Sequence, residues 1–296
     1  MKRILVAFIL FALLLSGCAA SQEEPAQIAA TTLPVYAFTA RLCDGTDITV
    51  TRLVTEQVSC LHDYSLNVHQ VKAAEAAEVV VISGAGLEEF LDDILLNADT
   101  IDASTGIELL CPEQDHDHEH EEAHDHEGHH HDQDPHIWLS PENAKVMVQN
   151  ICAGLSRRYP EFSDIFKTNC TALLTDLDAL QAYGAETLAT LSCRELITFH
   201  DGFGYFADAF DLDILEAVEE ESGSEASAQE LKHLIEEVEH HSLPAIFTEV
   251  SGSVSAADVI SRETGAAVYA LDMAMSGDSY FDAMYHNINT IKEALG

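Results

Sequence analysis

The chain has 296 residues, 47% of them hydrophobic and 22% charged, the composition of a globular protein with one large domain or two ordinary lobes. Its 52 acidic residues against 13 basic ones give a formal net charge of −39. A field of that sign repels nucleic acid and anionic surfaces and draws divalent cations, so nucleic-acid partners are excluded from the outset.

Lys2 and Arg3 precede the apolar run ILVAFILFALLL at 4–15, and LSGC closes it at 15–18. A basic start, a short apolar region and small residues at the break describe a secretory signal over 1–17. The run is too short to be preferred as a permanent membrane span. Cys18 resembles the lipid-modified cysteine of a bacterial lipoprotein, which would anchor the mature protein outside the cytoplasm at the membrane surface. The alternative is an ordinary signal with an incidental cysteine. Residues 18–27, ending in SQEEPAQ, read as a polar tether.

From residue 28 short apolar runs alternate with helical stretches. Strands are predicted at 28–33, 48–54, 79–83, 101–104 and 107–110, with helices at 35–42, 67–77 and 84–97. The run VVVIS at 79–83 is continuously apolar, as a strand buried on both faces requires. This alternation predicts a parallel, doubly wound N-terminal lobe over 28–140.

Within that lobe, 115–134 reads DHDHEHEEAHDHEGHHHDQD, with no Lys or Arg. Such a stretch has nothing to bury and is expected to be a solvated loop. Its imidazoles and carboxylates suit weak capture of divalent transition ions. The accessory ligands are His116, His118, His120, His124, His126, His129, His130 and His131. Order is predicted to resume at DPHIWLSP, 134–141, where His136 stands between Pro135 and the apolar pair Ile137 and Trp138.

Ser140 and Pro141 make a good helix start, and helical periodicity continues over 141–191 with a break near Pro160. The second half, 192–296, repeats the first, with strands at 196–199, 212–218, 244–250 and 266–272 and helices at 203–210, 227–240, 254–264 and 279–295. The predicted architecture is α/β: two doubly wound parallel-sheet lobes joined by a long backbone helix, with a metal site in the cleft between them. Besides Cys18 there are Cys43, Cys60, Cys111, Cys152, Cys170 and Cys193, an even set that suggests disulfides in an exported protein. A helical hairpin across Pro160 would bring Cys152 and Cys170 together, and Cys60 and Cys111 fall in loops near the site. No CxxC spacing occurs, which disfavours a four-cysteine zinc site.

In open parallel sheets ligands bind beyond the carboxyl ends of the strands. His62 follows the second predicted strand, His136 ends the loop after 107–110, and His200 and Asp201 follow 196–199 directly. Glu249 lies near the end of 244–250 and Asp272 ends 266–272. Three histidines and two carboxylates on one edge favour a transition metal, and imidazole-rich coordination favours Zn²⁺ over manganese or calcium. The fourth ligand is Asp272 or water. Glu249 is expected to orient a histidine N–H.

The lipoprotein signal, HDY at 62–64, the His/acid loop, DPHIWLSP, TFHDGFGYF at 198–206 and LD at 271–272 together resemble the zinc-uptake solute-binding proteins of ABC transporters. The resemblance covers nearly the whole mature chain. It implies an extracytoplasmic receptor, not an enzyme, in which His62, His136 and His200 match the histidine ligands and Asp272 the completing carboxylate. In manganese-binding relatives a glutamate takes the place of His200, so this histidine points to zinc. The implied partner is an ABC permease, and the expected form is a monomer. Two features depart from the family pattern: LDMAM at 271–275 where LDPL is common, and the six mature cysteines.

HEEAH at 120–124 and HEGHH at 126–130 match the zincin pattern, but a tract of His and Glu generates it by chance and offers no apolar stripe for a packed helix. The dinucleotide-like GFGYFA at 202–207 has bulky spacers and lies beside His200 and Asp201. His69, His233, His240, His241 and His286 read as surface residues on helices, and Met273 and Met275 as packing. A manganese or iron receptor of the same class is the main alternative. A zinc hydrolase using Asp201 or Glu249 as base is a remote one.

Overall fold

The computed structural model describes residues 26–56, 61, 64–110, 133–218, 226–275 and 277–296. It folds them into two four-stranded sheets, every pairing of which is parallel. In the first, β1 (Ile28–Ala30), β2 (Val50–Arg52), β3 (Val79–Ile82) and β4 (Thr100–Asp102) lie in the order β2-β1-β3-β4. In the second, β5 (Glu195–Thr198), β6 (Asp213–Ala217), β7 (Ala245–Glu249) and β8 (Ala267–Leu271) lie as β6-β5-β7-β8, the same winding repeated. Each order reverses beside its first strand, creating a switch point whose crevice faces the carboxyl ends of the strands.

Local chemistry sets the helix ends. Pro34 sits in the first turn of α1 (Leu33–Leu42), and α2 (Val68–Ala76) opens on a capping box in which Asn67 and Gln70 satisfy each other's backbone N–H. The stretch predicted as helix over 84–97 is mostly something else. Gly84, Ala85 and Gly86 take φ of +83°, +55° and +83°, left-handed values that end any helix there. Glu88 folds back to accept N–H bonds from Ser83 at 2.7 Å and Gly84 at 3.0 Å, so only a 3₁₀ turn at Glu89–Leu91 and the short α3 (Asp92–Leu95) remain. Residues 107–110 are likewise not a strand: Ile107 closes a turn onto Ser104, and Leu110 pairs with Asp134 instead of with the sheet.

The helical run after residue 140 is two helices. Ser140 caps α4 (Pro141–Arg158) by accepting from Asn143 N–H. A 3₁₀ turn at Pro160–Phe162 then reverses the chain into α5 (Ser163–Leu188), whose 26 residues span roughly 39 Å. Over its first half α5 grips the first lobe, Asn169 donating to Leu42 and Asp44 carbonyls and Asp176, at mid-helix, pairing with Arg41 at 2.8 Å. Farther along, Gln181 donates to the Ala209 carbonyl and Tyr183 to Asn289 of the second lobe.

The second lobe is completed by α6 (Gly204–Phe210), α7 (Ala228–His241), α8 (Ser255–Thr264) and α9 (Tyr280–Leu295). A capping box of Ser227 and Glu230 starts α7, and Gly265 at φ +82° ends α8. One continuous apolar core joins the lobes, with Phe38 and Trp138 from the first part of the chain packed in the same cluster as Phe206 and Tyr280 from the second. Among the described residues, no helix is long and apolar enough to cross a membrane.

Candidate metal centre

His136 is presented by a turn that serves both lobes. The 3₁₀ turn Ile137–Leu139 has all three side chains buried, and the Trp138 indole N–H donates to the Met273 carbonyl at 2.7 Å. In return the Tyr280 hydroxyl donates to the Trp138 carbonyl at 2.8 Å. Asp134 fixes the imidazole: its Oδ1 accepts from the His136 backbone N–H at 2.8 Å and lies 2.7 Å from Nδ1. A carboxylate at that distance holds the proton on Nδ1 and leaves the Nε2 lone pair for a metal. Both His136 and its turn are withdrawn from solvent, His136 being 3% exposed.

Leu110 and Asp134 meet at the same point. Asp134 N–H donates to the Leu110 carbonyl at 2.9 Å, and the Tyr205 hydroxyl both receives Leu110 N–H at 2.9 Å and donates to the Asp134 carbonyl at 3.0 Å. Thus α6 of the second lobe pins the two ends of the segment that separates Leu110 from His136.

His200 follows β5 directly. Phe199 N–H still bonds the Phe247 carbonyl at 2.8 Å, and Thr198 Oγ1 donates to the His200 carbonyl at 3.1 Å, so the backbone is fixed up to the histidine. Its Nδ1 lies 3.1 Å from Glu249 Oε1. That approach lacks hydrogen-bond alignment, and Oε1 is a buried oxygen without a hydrogen bond. A Cβ on Gly202 would stand 2.5 Å from His200 Cδ2 and 2.7 Å from Met273 Cε. Only glycine leaves the ring its place.

The two rings meet nearly at right angles, at 82°, with Nε2 of His136 and Nε2 of His200 3.3 Å apart. Two nitrogens bound at about 2.05 Å to one tetrahedral Zn²⁺ lie about 3.3 Å from each other, so the pair already has the spacing of two ligands of one ion. Each Nδ1 faces a carboxylate, which turns both lone pairs toward the same point.

The surrounding charge is negative. Burial, then the charge of Asp272, push the Glu249 carboxyl up to about 8. The Asp201 carboxyl is also raised, first by desolvation and then by Asp134. Asp272, just past β8, has Oδ1 engaged by Ala274 N–H at 2.8 Å, while its backbone exchanges two bonds with the Asn287 amide. Carboxylates crowded this way gain most from a divalent cation.

Of the residues singled out from the sequence, the structure brings His136, His200 and Glu249 together and sets Asp272 beside Glu249. His62 lies outside the described residues, as do the eight accessory histidines, Cys18, Cys60 and Cys111. Among the described residues, no group of three or more His, Cys, Asp or Glu is arranged to hold an ion. His233 and His241 bond Glu216 and Glu195, and His286 bonds the Ala270 carbonyl, none of them at the centre. The reading of the sequence missed Asp134 as the anchor of His136, although an aspartate two residues before a histidine is the spacing of an Asx turn. It also missed Tyr205, for which the sequence carries no signal.

A family model described as zinc-uptake complex component A, periplasmic, matches residues 28–294. The zinc-binding lipoprotein AdcA of Streptococcus pneumoniae is 30% identical over 316 aligned positions, covering 99% of this chain and 61% of that protein's length. The manganese-binding lipoprotein MntA of Halalkalibacterium halodurans is 26% identical, covering 79% of this chain and 77% of that protein. A crystal structure of ZnuA superposes with a TM-score of 0.76 at 27% identity, over 92% of this chain and 100% of that one.

Proposed function

This chain belongs to the zinc-uptake complex component A family, and from that premise we propose that it captures Zn²⁺ between its lobes and presents it to an ABC permease. Proteins of this kind are receptors for transport and need no catalysis. The observation that carries the metal is the 3.3 Å between two Nε2 atoms whose rings are each backed by a carboxylate. In this reading His136 and His200 bind the ion with His62, and Asp272 or a water completes the tetrahedron. Asp134 and Glu249 act from behind the imidazoles. The 115–131 histidines are accessory, holding further ions weakly. A lipid on Cys18 tethers the receptor, as a monomer, outside the cell membrane.

A manganese receptor is the second reading, favoured by the 26% identity to MntA. Titrating metal-free protein with Zn²⁺ and Mn²⁺ in competition with a chromophoric chelator separates the two. The expected result is one tight equivalent of zinc, followed by several weaker ones that belong to the tract. Tighter binding of manganese than of zinc would overturn the zinc assignment, and a single equivalent with no weaker ones would remove the role given to the tract.

A further inference from the structure

The two linking helices carry a pair of cysteines that metal capture does not use. Cys152 precedes the turn between α4 and α5 by about two helical turns, and Cys170 follows it by about two, so the antiparallel hairpin sets them at the same level. Both face inward, only 7% and 9% exposed, and belong to one apolar cluster. Across the hairpin each thiol lies near enough to shift the other, and the Lys167 ammonium adds its charge on the Cys152 side. Both are free thiols here.

We propose that Cys152 and Cys170 form an oxidisable dithiol whose disulfide clamps the helical hairpin that supports both lobes. The pair is asymmetric in the way exchange requires. The neighbouring Cys170 lowers the Cys152 thiol, with the Lys167 charge helping, while Cys170 itself is raised. Cys152 is therefore the attacking thiolate. It attacks one sulfur of an external disulfide, breaking that bond and releasing one external thiolate, which takes up a proton. Cys170 then loses its proton and attacks the Cys152 sulfur of the mixed disulfide, expelling the second external thiol. Two protein thiols and one external disulfide become one protein disulfide and two external thiols. Cys43, in the same cluster, is the competing partner, but burial pushes its thiol up to about 12 and leaves it unreactive.

The clamp has a mechanical meaning. Asn169, next to Cys170, holds the end of α1, so a bond between α4 and α5 at this level ties the first lobe's support to the strut that reaches the second.

The test uses the full chain in oxidised and reduced glutathione at a series of ratios, quenched in acid, alkylated and mapped by mass spectrometry without reduction. The expected species is a peptide pair linked Cys152 to Cys170, formed with a rise of several degrees in the midpoint of thermal unfolding. Cys193→Ser should keep both effects; Cys152→Ser should lose the link and the oxidation-dependent rise. Alkylation of both thiols at the most oxidising ratio, a Cys43 link in its place, or a glutathione adduct on Cys152 that never resolves would each overturn the proposal. None of these outcomes bears on zinc binding, so the two readings fail separately.

Discussion

The two histidines of the centre are held in different ways. His136 comes from a loop, yet one aspartate oxygen takes both its backbone N–H and its Nδ1, and the turn after it is tied to the second lobe by Trp138 and Tyr280. His200 comes straight off a strand, yet the Glu249 oxygen nearest its Nδ1 makes no aligned hydrogen bond, and the missing side chain of Gly202 leaves the ring its room. The carboxylate behind the loop histidine is thus aligned, and the one behind the strand histidine is not. Rigidity in a site comes from what stands behind the ligand, and secondary structure alone does not supply it.

Removing a ligand should outweigh that difference. A structural zinc site contributes on the order of 10–16 kcal/mol, so one ligand of four accounts for about 3 kcal/mol, a hundredfold or more in affinity. His136→Ala and His200→Ala should each weaken zinc binding by at least that factor with an unchanged far-ultraviolet circular dichroism spectrum. A His200→Ala protein that binds zinc as tightly as the parent would mean that the converging Nε2 atoms are not the site.

Behind the ligands the two halves should separate. Asp134→Ala removes an aligned partner and should cost about 10- to 100-fold in zinc affinity. Glu249→Gln alters a contact that is not aligned and should cost several times less. Equal losses, measured in the same chelator competition, would erase the distinction between a fixed and a loose half.

How much of this was legible in the sequence follows the same line. Strand-helix alternation is written in local patterns, and the parallel sheets formed where continuous apolar runs such as VVVI occur. The helix predicted over 84–97 failed because apolar spacing says nothing about φ, and three successive left-handed residues ended it. IELL at 107–110 has the alternation of a strand, but its last residue is taken by Asp134 and Tyr205, partners far along the chain. His136 and His200 could be selected because strand ends and a loop end are sequence-visible places. Their 3.3 Å meeting depends on Trp138 reaching Met273, a contact 135 residues apart that no local rule anticipates.

Gly202 offers a milder way to sharpen the comparison. A methyl group there overlaps the His200 ring, and the Glu249 oxygen nearest that ring makes no aligned hydrogen bond. Gly202→Ala should lower zinc affinity about tenfold, less than deleting the ligand, because the imidazole remains but must pay for a poorer rotamer. A normal affinity would show that the strand holds His200 without help.

A separate effect, on stability and not on affinity, belongs to the first lobe. Glu88, buried beside the carboxyl ends of β1 and β3, accepts the Thr31 hydroxyl and the N–H groups of Ser83 and Gly84. Those bonds favour its charged form, but desolvation outweighs them and pushes the carboxyl up to about 7 from 4.5. Below the unfolded value both states are protonated and the fold keeps its full stability. As pH rises from 4.5 to 7 the unfolded chain ionises first, so stability falls across that window and levels off above it. The ceiling is on the order of 3 kcal/mol, and other buried carboxyls such as Glu249 add to the slope with the same sign. Glu88→Gln isolates the contribution. Its amide opposes the Gly84 N–H and lowers stability throughout, while the part of the slope due to Glu88 disappears. Urea unfolding of metal-free protein from pH 4.5 to 7.5 reads both, and parallel curves for parent and variant would show that this buried carboxyl does not set the pH response of the first lobe.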